Sequence, residues 1–65
     1  MNLTVNGKPY EHSGDGKLPT LIEEMGADIS HVAVVVNDGI VGEQKDSFML
    51  SDGDCVEILT LAGGG

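Results

Sequence analysis

His31-Val32-Ala33-Val34-Val35-Val36-Asn37-Asp38-Gly39-Ile40-Val41 decides the fold. The six positions from His31 to Val36 hold four valines and one alanine, a run too short for most helices and strongly β-branched. It reads as a central strand covered on both faces. Asn37-Asp38-Gly39 then turns the chain, and Ile40-Val41 returns beside it as a hairpin partner. A strand of this kind needs further neighbours and a covering layer, and the flanking sequence must supply them.

Upstream, Leu3-Thr4-Val5 alternates apolar and polar as a half-buried strand does. Asn6-Gly7 follows, the pair best suited to positive φ at both centres of a tight turn, and Lys8 to His12 reads as the returning strand. Pro9 lacks an N–H, which sends that strand to an edge of the sheet. Leu18, Leu21, Ile22 and Met25 stand at i, i+3, i+4 and i+7, one apolar stripe of a two-turn helix. Pro19 suits its first turn and Gly26 its end, while neither Lys17 nor Leu18 offers a capping oxygen. Downstream, Phe48, Met49 and Leu50 are expected to touch the core. Asp52-Gly53-Asp54 turns into a last strand, Cys55 to Thr60. In this ββαββ order the first and last strands can pair in parallel at the centre of the sheet. The expected class is α+β, a mixed sheet of four or five strands with one main helix across it.

Composition narrows the function. The 65 residues carry 11 carboxylates against three lysines and no arginine, a formal charge of −8. That balance argues against nucleic acid or an anionic membrane as a partner, because both attract Lys/Arg clusters. No apolar run approaches the roughly 20 residues that span a bilayer, and no signal peptide is present, so the expected setting is cytoplasmic. Cys55 is the only cysteine, which excludes a framework of internal disulfides. A chain of this length has little structure with which to enclose a substrate, so it is not expected to be an enzyme.

The side chains agree with that. No phosphate-cradling glycine loop, HExxH or metal-finger spacing occurs, and no metal site is expected. His12 and His31 read as ordinary surface or strand residues, and Cys55 as a small strand residue. Asp52 and Asp54 flank a turn glycine, where Asp bonds the local backbone, and Glu23 and Glu24 read as a solvated helix face.

The end of the chain is different. Leu61-Ala62-Gly63-Gly64-Gly65 follows directly on the last strand, and from Ile58 onward the only charge is the α-carboxylate. Three glycines reach about 10 Å at ~3.3–3.6 Å per residue, thin enough to enter a channel that excludes side chains. The division expected is a folded domain over 1–61 and a flexible tail over 62–65.

Taken together, Asp52-Gly53-Asp54-Cys55-Val56-Glu57-Ile58, the Val34-Val35-Val36-Asn37 strand end, the following Gly39-Ile40-Val41 and the terminal Gly-Gly resemble the ThiS family of ubiquitin-like sulfur carriers over essentially the whole chain. The resemblance implies a ubiquitin-like β-grasp fold and a role in assembling the thiazole of thiamine. It implies that Gly65 is the reacting residue, converted first to an acyl-adenylate and then to a thiocarboxylate. Gly64 and Gly63 would thread the tail, and Leu59 and Leu61, on the outer face by alternation, are candidates for partner docking. The implied partners are an adenylating enzyme of the ThiF type that uses ATP and Mg, a thiazole synthase of the ThiG type and a sulfur donor such as a cysteine desulfurase. No cofactor is implied for the chain itself. Its acidity would steer it to a basic collar on the adenylating partner. Two features depart from the family pattern: Gly42-Glu43 stands where members often have Pro-Arg, and the terminus has three glycines rather than two. The same residues also fit a carrier supplying sulfur for molybdopterin or another metabolite, or a ubiquitin-like protein modifier.

Overall fold

Left-handed backbone at two short turns folds the two hairpins of the chain. The computed structural model describes residues 1–42 and 44–60. Asn6 (φ 51°) and Gly7 (φ 81°) join β1 (Asn2–Val5) to β2 (Lys8–Glu11), with Leu3 opposite Tyr10. Asn37 (φ 52°) and Asp38 (φ 69°) join β3 (Val32–Val36) to β4 (Gly39–Val41). Asp38, rather than Gly39, takes the left-handed position, and Gly39 is already the first residue of β4. Asn and Asp tolerate that conformation because their short polar side chains bond locally.

The last strand, β5 (Cys55–Thr60), completes a five-stranded sheet in the order β2-β1-β5-β3-β4. β5 runs parallel to β1 and antiparallel to β3, and both hairpins are antiparallel. The first and last strands therefore pair in parallel, as expected, with β5 at the centre of the sheet. β3 lies one place from the edge instead of at the centre. Its Val32, Val34 and Val36 are buried, while Ala33 and Val35 on the other face are only half-buried. The expectation of cover on both faces fails because the described residues form a single α-helix, and one layer is all it supplies.

That helix is α1 (Leu18–Glu24), with Pro19 in its first turn and no side-chain cap at Lys17. Leu18, Leu21 and Ile22 are fully buried against Leu3, Val5, Val32, Val34, Val36, Val41, Leu50 and Val56 from the sheet and the loop before β5. Two methionines expected in this core lie outside it. Met25 follows the last helical residue, where Gly26 (φ 79°) turns the chain away, and it is 37% exposed. Met49 is exposed because its neighbour Leu50 takes the inward position. Phe48 packs partly against the core, as anticipated. The expected boundary between residues 61 and 62 lies outside the described residues.

Candidate functional site

β5 carries the chain toward its C-terminus, and its alternation separates two tasks. Val56 is buried and Ile58 half-buried on the helix side, whereas Cys55, Glu57 and Leu59 face the other way and are exposed. Residues directly opposite across an antiparallel pair share a face. Leu59 lies opposite Ala33, Glu57 opposite Val35, and Val35 opposite Ile40. The outer face thus collects Leu59 (54% exposed) and Ile40 (83% exposed) around half-buried Ala33 and Val35, with Glu57 at the border. Leu59 was anticipated there. Ile40 was not, although alternation against the buried Val41 contains the signal. Leu61, Gly63, Gly64 and Gly65, named from the sequence, lie outside the described residues.

The strand is anchored close to where the tail begins. Its ladder with β3 runs as far as Val32 opposite Thr60, while its pairing with β1 stops at Val5 opposite Val56. Just before β3, at the Val32 end that pairs with Thr60, Ile29–His31 form a 3₁₀ turn. Asp28 caps it, accepting from the Ser30 N–H at 3.0 Å and from the Ser30 hydroxyl at 2.8 Å. Those bonds, the backbone one first, hold the Asp28 carboxyl below the usual carboxylate range, and His31 Nδ1 lies 3.1 Å from its second oxygen. Lys45 Nζ donates to the carbonyls of Ile29 and Val32, both at 2.8 Å. One of only three lysines is therefore used to tie the 3₁₀ turn at Lys45–Ser47 to the start of β3.

At the start of β5, the Asp-Gly-Asp turn is a structural knot. Asp52 Oδ1 accepts from the Asn2 N–H at 2.6 Å, and Asp54 accepts from the Ser51 N–H at 2.8 Å and from Asn37 Nδ2 at 2.9 Å. The Cys55 N–H donates to Asn37 Oδ1 at 2.9 Å. Asp54 bonds local backbone, as read from sequence, whereas Asp52 reaches the backbone of Asn2, 50 positions away; together they tie the two hairpins to the start of β5.

His12 departs from its expected role as an ordinary surface or strand residue. It follows β2, and its side chain is fully buried. Nε2 accepts from the Gly16 N–H at 3.1 Å, which leaves the proton on Nδ1, 3.0 Å from Glu24 Oε1. The Tyr10 hydroxyl donates to the same carboxylate oxygen at 2.7 Å. The bond from Tyr10, then that from His12, holds the Glu24 carboxyl below its ordinary range, and the same contact pushes the Tyr10 phenol up. Glu24 was read as part of a solvated face; it is exposed but also joins helix to hairpin. This group sits at the end of the first hairpin away from Asn6 and Ile58, and braces that end of the fold.

Nothing among the described residues resembles a catalytic centre. The cleft beside β4, about 460 Å³ and lined by Val36, Ile40, Val41, Gln44 and Phe48 among others, has no acid, base or nucleophile among its described lining residues. No group of three or more His, Cys, Asp or Glu among the described residues could hold a metal ion, and none of their helices is long and apolar enough to cross a membrane. Gly42, at the first of the two departures from the family pattern, is exposed on that cleft.

A mixed sheet with its last strand parallel to its first, one helix across the inner face and an exposed outer face leading to a C-terminal tail defines a ubiquitin-like β-grasp protein. The family model for the ThiS family matches residues 3–65. The sulfur carrier protein ThiS of Thermus thermophilus is 37% identical over 62 residues, which cover 94% of this chain and 95% of that protein. The crystal structure of the thiamine biosynthesis protein ThiS of Geobacter metallireducens matches with a TM-score of 0.78 at 38% identity, over 100% of both chains. The chain belongs to the ThiS family.

Proposed function

We propose that this protein is a sulfur carrier for thiamine biosynthesis, with the carboxylate of Gly65 as the group that is activated and loaded. The observation that carries the reading is the construction of β5. The strand is paired in the sheet as far as Thr60, presents Leu59 outward, and continues into an uncharged sequence rich in glycine. Family membership through residue 65 supports it.

A carboxylate is a poor electrophile because its leaving group would be oxide. An adenylating partner of the ThiF type, using Mg-ATP, overcomes this. A Gly65 oxygen attacks the α-phosphorus, pyrophosphate leaves, and an acyl-adenylate forms. The terminal sulfur of a persulfide, derived from a cysteine desulfurase, then attacks the carbonyl carbon and AMP leaves. A thiol cleaves the remaining S–S bond and releases the Gly65 thiocarboxylate, whose softer sulfur is passed to a thiazole synthase of the ThiG type. Every catalytic group belongs to the partners, so the chain itself is not a catalyst.

This protein's own contribution is shape and charge. Gly63 and Gly64 let partner backbone approach closely and tolerate the φ values of a threaded tail. Leu59, with Ala33 opposite it and Val35 and Ile40 further across the same face, supplies an apolar dock for the adenylating partner at the end of β5. Leu61 would extend it by alternation. The charge of −8 draws the carrier toward a basic surface and raises association rate more than affinity.

Reconstitution with the adenylating partner, Mg-ATP and a persulfide donor tests the reading by intact mass: one oxygen of the C-terminal glycine should be exchanged for sulfur. Deletion of Gly65, or Gly64→Phe, should abolish ATP–pyrophosphate exchange without lowering the thermal midpoint. Undiminished exchange in either variant overturns the proposal, and recovery of the chain joined to lysines of other proteins would identify a modifier instead.

A further inference from the structure

β1 ends too early to hold the strand that bears the tail. Its last residue, Val5, pairs with Val56, and at Asn6 the chain turns back into β2. β5 continues to Thr60, so its last four residues have no main chain of β1 beside them. Asn6 covers part of this gap in an unusual way. Its own N–H donates to the Val56 carbonyl at 2.8 Å, while its side-chain Oδ1 accepts from the Ile58 N–H, also at 2.8 Å. The side-chain amide thereby extends the parallel ladder by one rung, at the point where a main-chain carbonyl would otherwise be required.

We infer that Asn6 is a positioning residue for the tail: its side-chain carbonyl fixes Ile58 and so sets where, and in what direction, the reactive C-terminal segment leaves the sheet. The inference rests on the carrier reading above. Ile58 is two residues before Thr60, and the ladder with β3 secures only the opposite edge of β5 there. Without the Asn6 rung the strand is held from one side, and residues 58–60 gain freedom that must be removed again when the tail is threaded. Ordering those residues is an entropic cost, and a small displacement of a reacting group is costly to rate. The outer-face dock does not include Asn6, so the loss should fall on the reactive arrangement more than on binding.

The turn itself makes a clean test possible. Asn6 has φ 51°, which Gly adopts freely and Asp tolerates. Asn6→Gly keeps the turn and removes the acceptor, and Asn6→Asp keeps both. With the full-length chain, the adenylating partner and Mg-ATP, Asn6→Gly should lower kcat for ATP–pyrophosphate exchange about tenfold with KM within twofold of wild type. Amide hydrogen exchange at Ile58 should accelerate in the same variant. Asn6→Asp should restore kcat and the slow exchange at Ile58. A Gly variant with faster exchange at Ile58 and unchanged kcat overturns the inference alone. So does loss of kcat in both variants alongside a lowered thermal midpoint, which is what a purely structural role produces. A wild-type chain that is not adenylated at all overturns the carrier reading and this inference with it.

Discussion

Replacing the two most exposed apolar residues of the sheet's outer face should weaken docking without weakening the fold. Full burial of a Leu or Ile side chain from full exposure is worth about 1.5–3 kcal/mol, and a partner can bury only what the fold has left in water. Leu59 is 54% exposed and Ile40 is 83% exposed. Scaling by those fractions leaves roughly 0.8–1.6 kcal/mol for Leu59 and roughly 1.2–2.5 kcal/mol for Ile40, or about 2–4 kcal/mol together. Threonine keeps strand propensity and one methyl group of each side chain. About half to two thirds of the total is therefore lost in the double variant Leu59→Thr, Ile40→Thr, roughly 1–2.7 kcal/mol. At 1.4 kcal/mol per tenfold this is a rise of about 5- to 90-fold in KM for ATP–pyrophosphate exchange by the adenylating partner.

The fold should barely register the change, because exposed substitutions away from special features stay within about 0.5 kcal/mol, or ~4 °C in a domain of this size. Met49→Thr is the control. Met49 is similarly exposed but sits beside Lys17 at the start of the helix, away from the sheet's outer face, so its KM should stay at the wild-type value. A double variant with unchanged KM, or a Met49 variant that raises KM as much, refutes the assignment of the outer face as the dock.

Gly14→Ala should destabilise the protein, because a Cβ there would lie 2.6 Å from Cε1 of the fully buried His12; urea unfolding should show a lowered midpoint with an unchanged m-value. Glu24 has its pKa depressed in the fold, so its contribution to stability is complete above the ordinary carboxylate range and is lost as pH falls through the folded value. Tyr10 is raised, so its contribution is complete below the ordinary phenol value and is lost as pH rises through the folded one. Thermal midpoints measured against pH should fall at both limits, and Glu24→Gln should flatten the acid limb. Asp38→Gly should raise the midpoint by a few degrees, since Asp38 holds φ 69° and glycine relieves up to about 1 kcal/mol at a left-handed turn position; a lowered midpoint would mean that the Asp side chain contributes more than its backbone costs.

The parts of this molecule that were legible in sequence are those set by neighbours in the chain. Asn6-Gly7 and Asn37-Asp38 specify left-handed turns through the conformational preferences of those residues alone, and alternation within Cys55–Thr60 assigns Leu59 to the outer face. The misreadings have a common cause. Met25 satisfies the i+7 position of the Leu18 stripe, but the stripe does not state that the helix ends at Glu24. His12 is buried because Glu24 and Gly16 arrive on either side of its ring, and a histidine just past an edge strand gives no sign of either. β3 looked like a strand buried on both sides because its outward residues, Ala33 and Val35, are also apolar. Composition records that they are apolar, not which layer fails to cover them. Asn6 combines the two cases: its turn is written locally, while its bond to Ile58 joins residues 52 positions apart.

If the uncovered outer face serves as the proposed dock, it must also be kept from pairing with copies of itself. An exposed apolar sheet surface invites edge pairing and self-association, most of all where edge strands are long and flat. Here β4 is three residues long, and β2 carries Lys8, Pro9 and Glu11. Neither edge offers a long unpaired ladder to a second copy. Glu57 borders the apolar patch, and the net charge of −8 repels another molecule of the same kind. A surface that is apolar at its centre, acidic at its border and protected at both edges rejects its own copies. On the carrier reading proposed above, it would accept a basic partner that brings an apolar counterpart to Leu59 and Ile40. The acidity that argues against nucleic acid would then also favour docking over self-association, as the carrier role proposed above requires.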